Sequence, residues 1–348
     1  MYSYTTLDHD PRIAVVGYGR WGRQCHTYLI NLTEGLELRC VVSSDAEKRQ
    51  QASRDRNCLA YSSFEEALSD PLVDAVVLAT PSVTHVDLTV KALESGKHVL
   101  TDKVMCLNAA ECRRMIAAAK ANKKLLTVFQ NRRFDGDFQT VKWLMSNGSL
   151  GQVKWLEQSW IGFGKWGNWR GHKALGGGRI YDLGAHLLDQ ALQLFPEPVE
   201  SVYCRIHHDW EDADIESEAL IVIAFQGGKT AVTDLSSMSF CEKPRFLVKG
   251  DAGTYIKYGL DPQEPAMING NIDAAMESPS KYGTLKGRNR MERIPTLPGN
   301  WRKFYENFRD SLRGEAVPAV DLDSELRLME VIDAIHESIS TGQVVKFS

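Results

Sequence analysis

Lys103, Asp182 and His186 are the residues of this chain best suited to move a proton or stabilise a charge. Asp182 and His186 stand four apart in Gly178-Arg179-Ile180-Tyr181-Asp182-Leu183-Gly184-Ala185-His186, so a helix puts both on one face. Histidine is the natural proton shuttle near neutral pH, and a neighbouring carboxylate fixes its tautomer. The same pair would also serve as a helix N-cap and a satisfied core histidine. Lys103 follows the apolar run Lys97–Leu100 in Leu100-Thr101-Asp102-Lys103-Val104. A lysine at a strand end can hydrogen-bond a substrate hydroxyl and lower the pKa of a neighbouring group. A lone lysine in a loop can equally be no more than solvated.

These groups need a frame, and Gly17-Tyr18-Gly19-Arg20-Trp21-Gly22 supplies one. It follows the apolar run Arg12–Val16 and precedes the helical stretch Trp21–Leu32, the order a dinucleotide site requires. Gly17 permits the turn, Gly19 lets a pyrophosphate approach the backbone, and Gly22 lets the helix pack on the strand. Further strand–helix alternation runs to about residue 130. Strands are expected at Leu36–Val42, Ala75–Ala79, Lys97–Leu100 and Leu125–Phe129. Helices are expected from about Asp45, at Phe64–Leu68 and Val83–Glu94, and from an Asn108 cap to Lys120. Repeated units of this kind imply a doubly wound parallel sheet. Thr80, Pro81 and His85 lie just past one of its strands, where Pro81 can start the next turn and Thr80 and His85 can flank a cofactor; a Pro-Ser helix start with a surface histidine would look the same.

After about residue 130 the pattern changes. A helix is expected at Phe134–Asn147 and another at Leu183–Phe195. Extended segments follow at Val153–Ile161, Val199–His207, Ala219–Phe225, Thr230–Ser236 and Phe246–Val248. They imply a second, α+β domain with a largely antiparallel sheet. Asp261–Pro298 reads as a long irregular loop, and Trp301–Leu312 and Leu322–Ser338 as C-terminal helices. The expected domains are 1–130 and 131–348.

The end of the second strand bears on the cofactor. NAD sites usually place an acid there, whereas Ser43 and Ser44 occupy it here. Small hydroxyls leave room for a 2′-phosphate that Lys48, Arg49 or Arg20 would neutralise, which favours NADP. NAD is the alternative, with Asp45 on the ribose. Trp160, Phe163, Trp166 and Trp169 with Arg170 suggest a polyol pocket, because indole faces suit the C–H faces of sugar rings. A tryptophan core or subunit interface would have the same composition.

The chain has 348 residues, a net charge of −4 and no basic block, which disfavours nucleic acid as a partner. Its seven cysteines form no CxxC pair and read as reduced thiols. The polar start Met1 to Arg12 reads as no export signal, and no apolar run reaches membrane-spanning length. The expected location is the cytoplasm. No metal site is expected, since His207, His208 and Asp209 fit no specific ligand spacing.

Taken in order, Gly17-x-Gly19-x-x-Gly22, Thr80-Pro81 with His85, Asp102-Lys103, Asn131-Arg132-Arg133-Phe134-Asp135 and Asp182-x-x-x-His186 resemble the glucose–fructose oxidoreductase and inositol dehydrogenase family, Gfo/Idh/MocA. The resemblance spans nearly the whole chain. The branch it looks most similar to contains NADP-linked scyllo-inositol dehydrogenases. It implies a Rossmann domain followed by an open antiparallel sheet that often forms a homodimer or homotetramer interface. It also implies oxidation or reduction of a hydroxyl or carbonyl on a sugar or cyclitol. The roles it implies are Lys103, Asp182 and His186 as catalytic residues and Arg133, Trp160, Trp169 and Arg170 as further substrate contacts. The glycine turn with Tyr18 and Trp21, Ser43, Ser44, Lys48, Thr80, Pro81, His85 and Asp102 would hold the cofactor. One departure is Val104, where the family usually carries proline and often a cis peptide bond. A glycosidase working by transient redox and a non-catalytic nucleotide sensor are the alternatives.

Overall fold

The computed structural model describes residues 2–347. Two compact units divide the chain. One holds the chain up to Asn131 with Met267–Gly270 and Asn300–Leu326, and the other holds Arg132–Ala266, Asn271–Gly299 and the chain from Arg327 on.

The first unit is built on six short parallel strands: β1 (Arg12–Val16), β2 (Glu37–Val42), β3 (Leu59–Tyr61), β4 (Ala75–Leu78), β5 (His98–Thr101) and β6 (Leu126–Val128). Their order is β3-β2-β1-β4-β5-β6, so chain direction across the sheet reverses between β1 and β4. Ligands of such sheets bind beyond the carboxyl ends of the strands at that reversal. The strands are continuous apolar runs because both faces are covered, and β4 and β5 are buried at every position. The helices are α1 (Thr27–Leu32), α2 (Ala46–Arg56), α3 (Phe64–Ser69), α4 (His85–Glu94) and α5 (Ala109–Asn122). Side-chain caps start three of them. Asp45 accepts from the N–H groups of Glu47 and Lys48, Ser63 from Glu66, and Asn108 from Glu111.

The second unit begins with α6 (Gly136–Ser146) and carries nine strands. These are β7 (Val153–Ile161), β8 (Val199–His207), β9 (Glu218–Phe225), β10 (Lys229–Ser236), β11 (Phe246–Gly250), β12 (Thr254–Lys257), β13 (Gly283–Gly287), β14 (Arg290–Ile294) and β15 (Val345–Lys346). Their order is β14-β13-β12-β11-β7-β10-β9-β8-β15, antiparallel throughout except for the parallel β7–β10 pair. Helix α7 (Ala185–Leu194) packs on β7 and β10. The remaining helices are α8 (Gln263–Ile268), α9 (Arg302–Arg313), which belongs to the first unit, and α10 (Leu322–Thr341). No helix among the described residues is long and apolar enough to cross a membrane.

Three expectations are corrected. The helix expected over Trp21–Leu32 opens with a wide turn, Gly22–His26, in which the Thr27 N–H reaches back to the Gly22 carbonyl. The helix expected from Leu183 likewise opens with a wide turn at Ile180–Gly184. Apolar periodicity over one turn cannot separate the two hydrogen-bond spacings. The expected loop Asp261–Pro298 contains α8 and the β13–β14 hairpin. Strand β14 is exposed at four of five positions, so it lacks the apolar alternation that marks a strand.

Candidate functional site

The glycine turn lies at the reversal point of the parallel sheet. Gly17 has φ +96°, and a Cβ there would stand 2.4 Å from the Ala79 carbonyl oxygen. A Cβ on Gly22 would stand 2.0 Å from the Gly17 carbonyl oxygen. Both positions therefore require glycine to close the turn. Gly19 differs: a Cβ there would meet nothing within 4 Å. Its role is not packing, and the open space fits the approach of a pyrophosphate to backbone N–H groups. Tyr18 is buried, and burial raises its phenol above the usual range despite the Arg56 guanidinium beside it. Arg20 is exposed, its Nε 3.3 Å from the Gln24 Oε1. Trp21 is half-buried, its ring 6.3 Å from that of Trp301.

Beyond β2, Ser43 and Ser44 turn into α2. The Asp45 carboxylate caps this helix, accepting from Glu47 N at 2.9 Å and Lys48 N at 3.2 Å. Lys48 Nζ lies 3.6 Å from it. Arg49 Nη1 donates to the carbonyls of Ser43 and Ser44 at 2.7 and 2.9 Å, which shapes the loop.

Past β4, the Thr80 and Thr84 hydroxyls lie 2.7 Å apart, and the Thr84 hydroxyl donates to the Pro81 carbonyl. His85, expected to flank a cofactor, is held by the backbone around it. It is fully buried, with ring nitrogens 2.9 Å from the Val104 carbonyl and 3.0 Å from the Thr80 carbonyl. Burial lowers its pKa. It ties the turn after β4 to the segment after β5.

That segment carries Asp102 and Lys103 at the carboxyl end of β5, beside β4. The Lys103–Val104 peptide is cis. Asp102 Oδ1 accepts from the Lys103 N–H at 2.8 Å, and its Oδ2 lies 3.5 Å from His26 Nε2. Burial acts to raise the Asp102 carboxyl. The His26 ring 3.5 Å away and the neighbouring Lys103 and His85 outweigh it and hold the group below the usual carboxylate range.

In the second unit Asp182 is not a helix cap. It sits inside the wide turn, its N–H bonded to the Gly178 carbonyl and its carboxylate 3.2 Å from Arg170 Nε. Arg170 in turn lies 4.6 Å from the Trp169 ring, so the structure brings Asp182, Arg170 and Trp169 together. His186 is buried in the first turn of α7, its ring stacked at 25° to Trp160 of β7 with centroids 6.2 Å apart. Trp166 lies under Arg179 at 4.2 Å, while Phe163 is half-exposed and stacks on Phe240.

Arg133, expected to contact substrate, is buried beside Asp189. Its Nε and Nη2 grip the buried Asp189 carboxylate at 2.9 and 2.6 Å. Arg132, quoted in the sequence motif without a role, lies with its guanidinium carbon 4.5 Å from the Trp160 ring, and sequence reasoning missed Arg245, whose guanidinium carbon lies 5.8 Å from it. It also missed Glu216, which accepts from the Ile180 N–H at 2.6 Å at the start of the wide turn. Burial pushes the Glu216 carboxyl up. These partners come from distant segments and leave no local signal.

Residues 11–130 match the model of an oxidoreductase family's NAD-binding Rossmann fold, and residues 142–347 match the same family's C-terminal alpha/beta domain. The uncharacterized oxidoreductase YdgJ of Escherichia coli (strain K12) is 33% identical over 342 residues, covering 95% of this chain and 97% of YdgJ. The scyllo-inositol 2-dehydrogenase (NADP(+)) IolW of Bacillus subtilis (strain 168) is 28% identical over 337 residues, covering 94% and 93%. A solved NAD-binding protein from Listeria innocua superposes with a TM-score of 0.85 at 30% identity, covering 97% of each chain. The chain belongs to the Gfo/Idh/MocA family of oxidoreductases. It is a dehydrogenase or reductase with a nicotinamide dinucleotide as cofactor.

Proposed function

We propose that this enzyme moves hydride between NADP and a hydroxyl or carbonyl carbon of a cyclitol or aldose. The observation that carries the reading is the placement of Lys103 at the carboxyl end of β5, on the edge where the glycine turn leaves Gly19 open. The bound dinucleotide supplies the hydride acceptor or donor. In the oxidation, His186 is the proposed acceptor of the hydroxyl proton, and Lys103 the proposed group that stabilises developing negative charge on oxygen. Asp182, oriented by Arg170, holds a second substrate hydroxyl. Trp160 and Trp169 offer indole faces to the C–H faces of the ring. The reading of NADP over NAD rests on Ser43 and Ser44 where an acid would select NAD, with the exposed cations Lys48 and Arg20 as the proposed partners of a 2′-phosphate. The NADP-linked name of the IolW relative agrees with it. The same reading has the enzyme work in the cytoplasm as a homodimer or homotetramer joined through the nine-stranded sheet. Neither a nucleic acid nor a membrane takes part.

The test is absorbance at the reduced-nicotinamide band with NADP or NAD and a panel of inositols, aldoses and ketoses. Turnover of one polyol with NADP, lost in His186→Ala, is expected. Binding of dinucleotide with no turnover of any member would reject the reading.

A further inference from the structure

His26 and Tyr305 form a buried polar pair beneath Lys103 that the mechanism above does not use. His26 closes the wide turn after the glycine turn and is fully buried. Its Nδ1 lies 2.6 Å from the Tyr305 hydroxyl, contributed by α9, and its Nε2 faces Asp102 Oδ2 at 3.5 Å. The other oxygen of that carboxylate accepts the Lys103 N–H. One chain of contacts thus runs from Tyr305 through His26 and Asp102 to the Lys103 backbone.

The order of donors in this chain follows from chemistry. Tyr305 is fully buried, and burial raises its phenol far above the ordinary value, so it keeps its proton. It can donate that proton to Nδ1, which makes Nε2 the protonated nitrogen, aimed at a carboxylate. The surroundings are otherwise apolar and aromatic. The Phe129 ring lies 4.8 Å from His26, and the Phe304 ring 4.9 Å from Phe129. A phenylalanine at position 26 would suit such a core, whereas buried polar groups cost free energy unless they are paired. The titratable groups facing the carboxylate are His26 from the wide turn, His85 from α4 and Lys103 on its own segment. Cys25 and Asp102 face the Tyr305 phenol.

We propose that His26 is a positioning residue for hydride transfer, holding Lys103 through Asp102 while Tyr305 fixes the His26 tautomer. This inference rests on the reading of Lys103 as the group against the substrate oxygen. His26 also stands at the start of the helix that follows the dinucleotide turn, so one imidazole links the cofactor loop to the lysine. It touches neither substrate nor cofactor.

The experiment compares the full-length protein with His26→Phe and Tyr305→Phe. Ring-nitrogen NMR of the free protein is expected to show His26 protonated at Nε2, with that preference lost in Tyr305→Phe. Isotopic methylation of lysines is expected to show the Lys103 signal displaced in His26→Phe. With a polyol found active, kcat should fall about ten- to a hundredfold in His26→Phe, as for a reacting group misplaced by about 1 Å. The dissociation constant for NADPH should change less than about threefold. Protonation at Nδ1, or a Lys103 signal and kcat both unmoved in a folded His26→Phe, would overturn the proposal. If His26→Phe does not fold, Tyr305→Phe carries the same tautomer and kcat readouts. Failure of the wild type to turn over any polyol would instead remove the proposed function, and the two NMR readouts would still decide the relay.

Discussion

Gly17 and Gly19 stand two residues apart, yet alanine should do opposite things at them. At Gly17 the backbone has φ +96°, and an added Cβ would stand 2.4 Å from the Ala79 carbonyl oxygen, which is itself backbone and held by the sheet. The left-handed conformation alone costs about 1–3 kcal/mol for a residue with a side chain, and the contact adds to it. With about 2–4 °C lost per kcal/mol, Gly17→Ala should melt roughly 5–10 °C lower. At Gly19 no positive φ is required and nothing lies within 4 Å of an added Cβ. Gly19→Ala should therefore keep its melting temperature or gain slightly, since alanine lowers unfolded-state entropy by about 0.4–1 kcal/mol. Its cost falls on the ligand. A methyl group in the open cradle holds the pyrophosphate off the turn, and each lost charge-assisted hydrogen bond is worth about 1.5–3 kcal/mol. That corresponds to about 10- to 150-fold in the dissociation constant of the reduced dinucleotide. Differential scanning fluorimetry and titration of nicotinamide fluorescence measure the two effects on the same samples. Gly19→Ala binding within threefold of wild type would refute the assignment of the cradle, and Gly17→Ala melting with wild type would refute the packing argument.

Other outcomes follow from the same geometry. Ser43→Asp places a carboxylate at the ribose end of β2 and should weaken NADPH by at least about tenfold while sparing NADH, read by the same titration. Arg133→Ala strands the buried Asp189 carboxylate and should cost about 3–5 kcal/mol in denaturant unfolding. His98 Nδ1 accepts from the Leu125 N–H, and burial, helped by the Lys124 charge, lowers its pKa to about 3. A histidine held neutral in this way contributes stability that is fully present above its unfolded pKa of about 6.5 and is lost as pH falls towards 3. The His98 ring signals should therefore not titrate between pH 8 and 5, and stability should decline below about pH 6.5. Titration near 6.5 would contradict this.

What could be read from the sequence was local. The glycine turn was legible because its three glycines are closely spaced between an apolar strand and a helix start, and β7 and β8 were legible because their nine-residue runs mix apolar and polar positions as a half-buried strand does. Strand β14 escaped because an exposed edge strand needs no apolar face. The wide turns at Gly22 and Ile180 escaped because their extra residue leaves the apolar pattern unchanged. At the candidate site, Asp182 and His186 were found by their spacing. The partner each takes, Arg170 or Trp160, depends on how the chain returns. His85 has the composition of a ligand-binding residue and the position of a structural one, and only its two carbonyl neighbours separate these roles. The His26–Tyr305 pair joins residues 279 apart and had no signal at all.

The most direct test of the central claim follows the hydrogen itself. A cyclitol or aldose that supports turnover would be labelled with deuterium at the reacting carbon and incubated with NADP and the enzyme. The products would then be resolved by mass spectrometry. Deuterium on the reduced dinucleotide, with a ketone or lactone product in equal amount, is the predicted result. Deuterium that returns to the sugar or exchanges into water, with no reduced dinucleotide accumulating, would contradict it and point to transient redox.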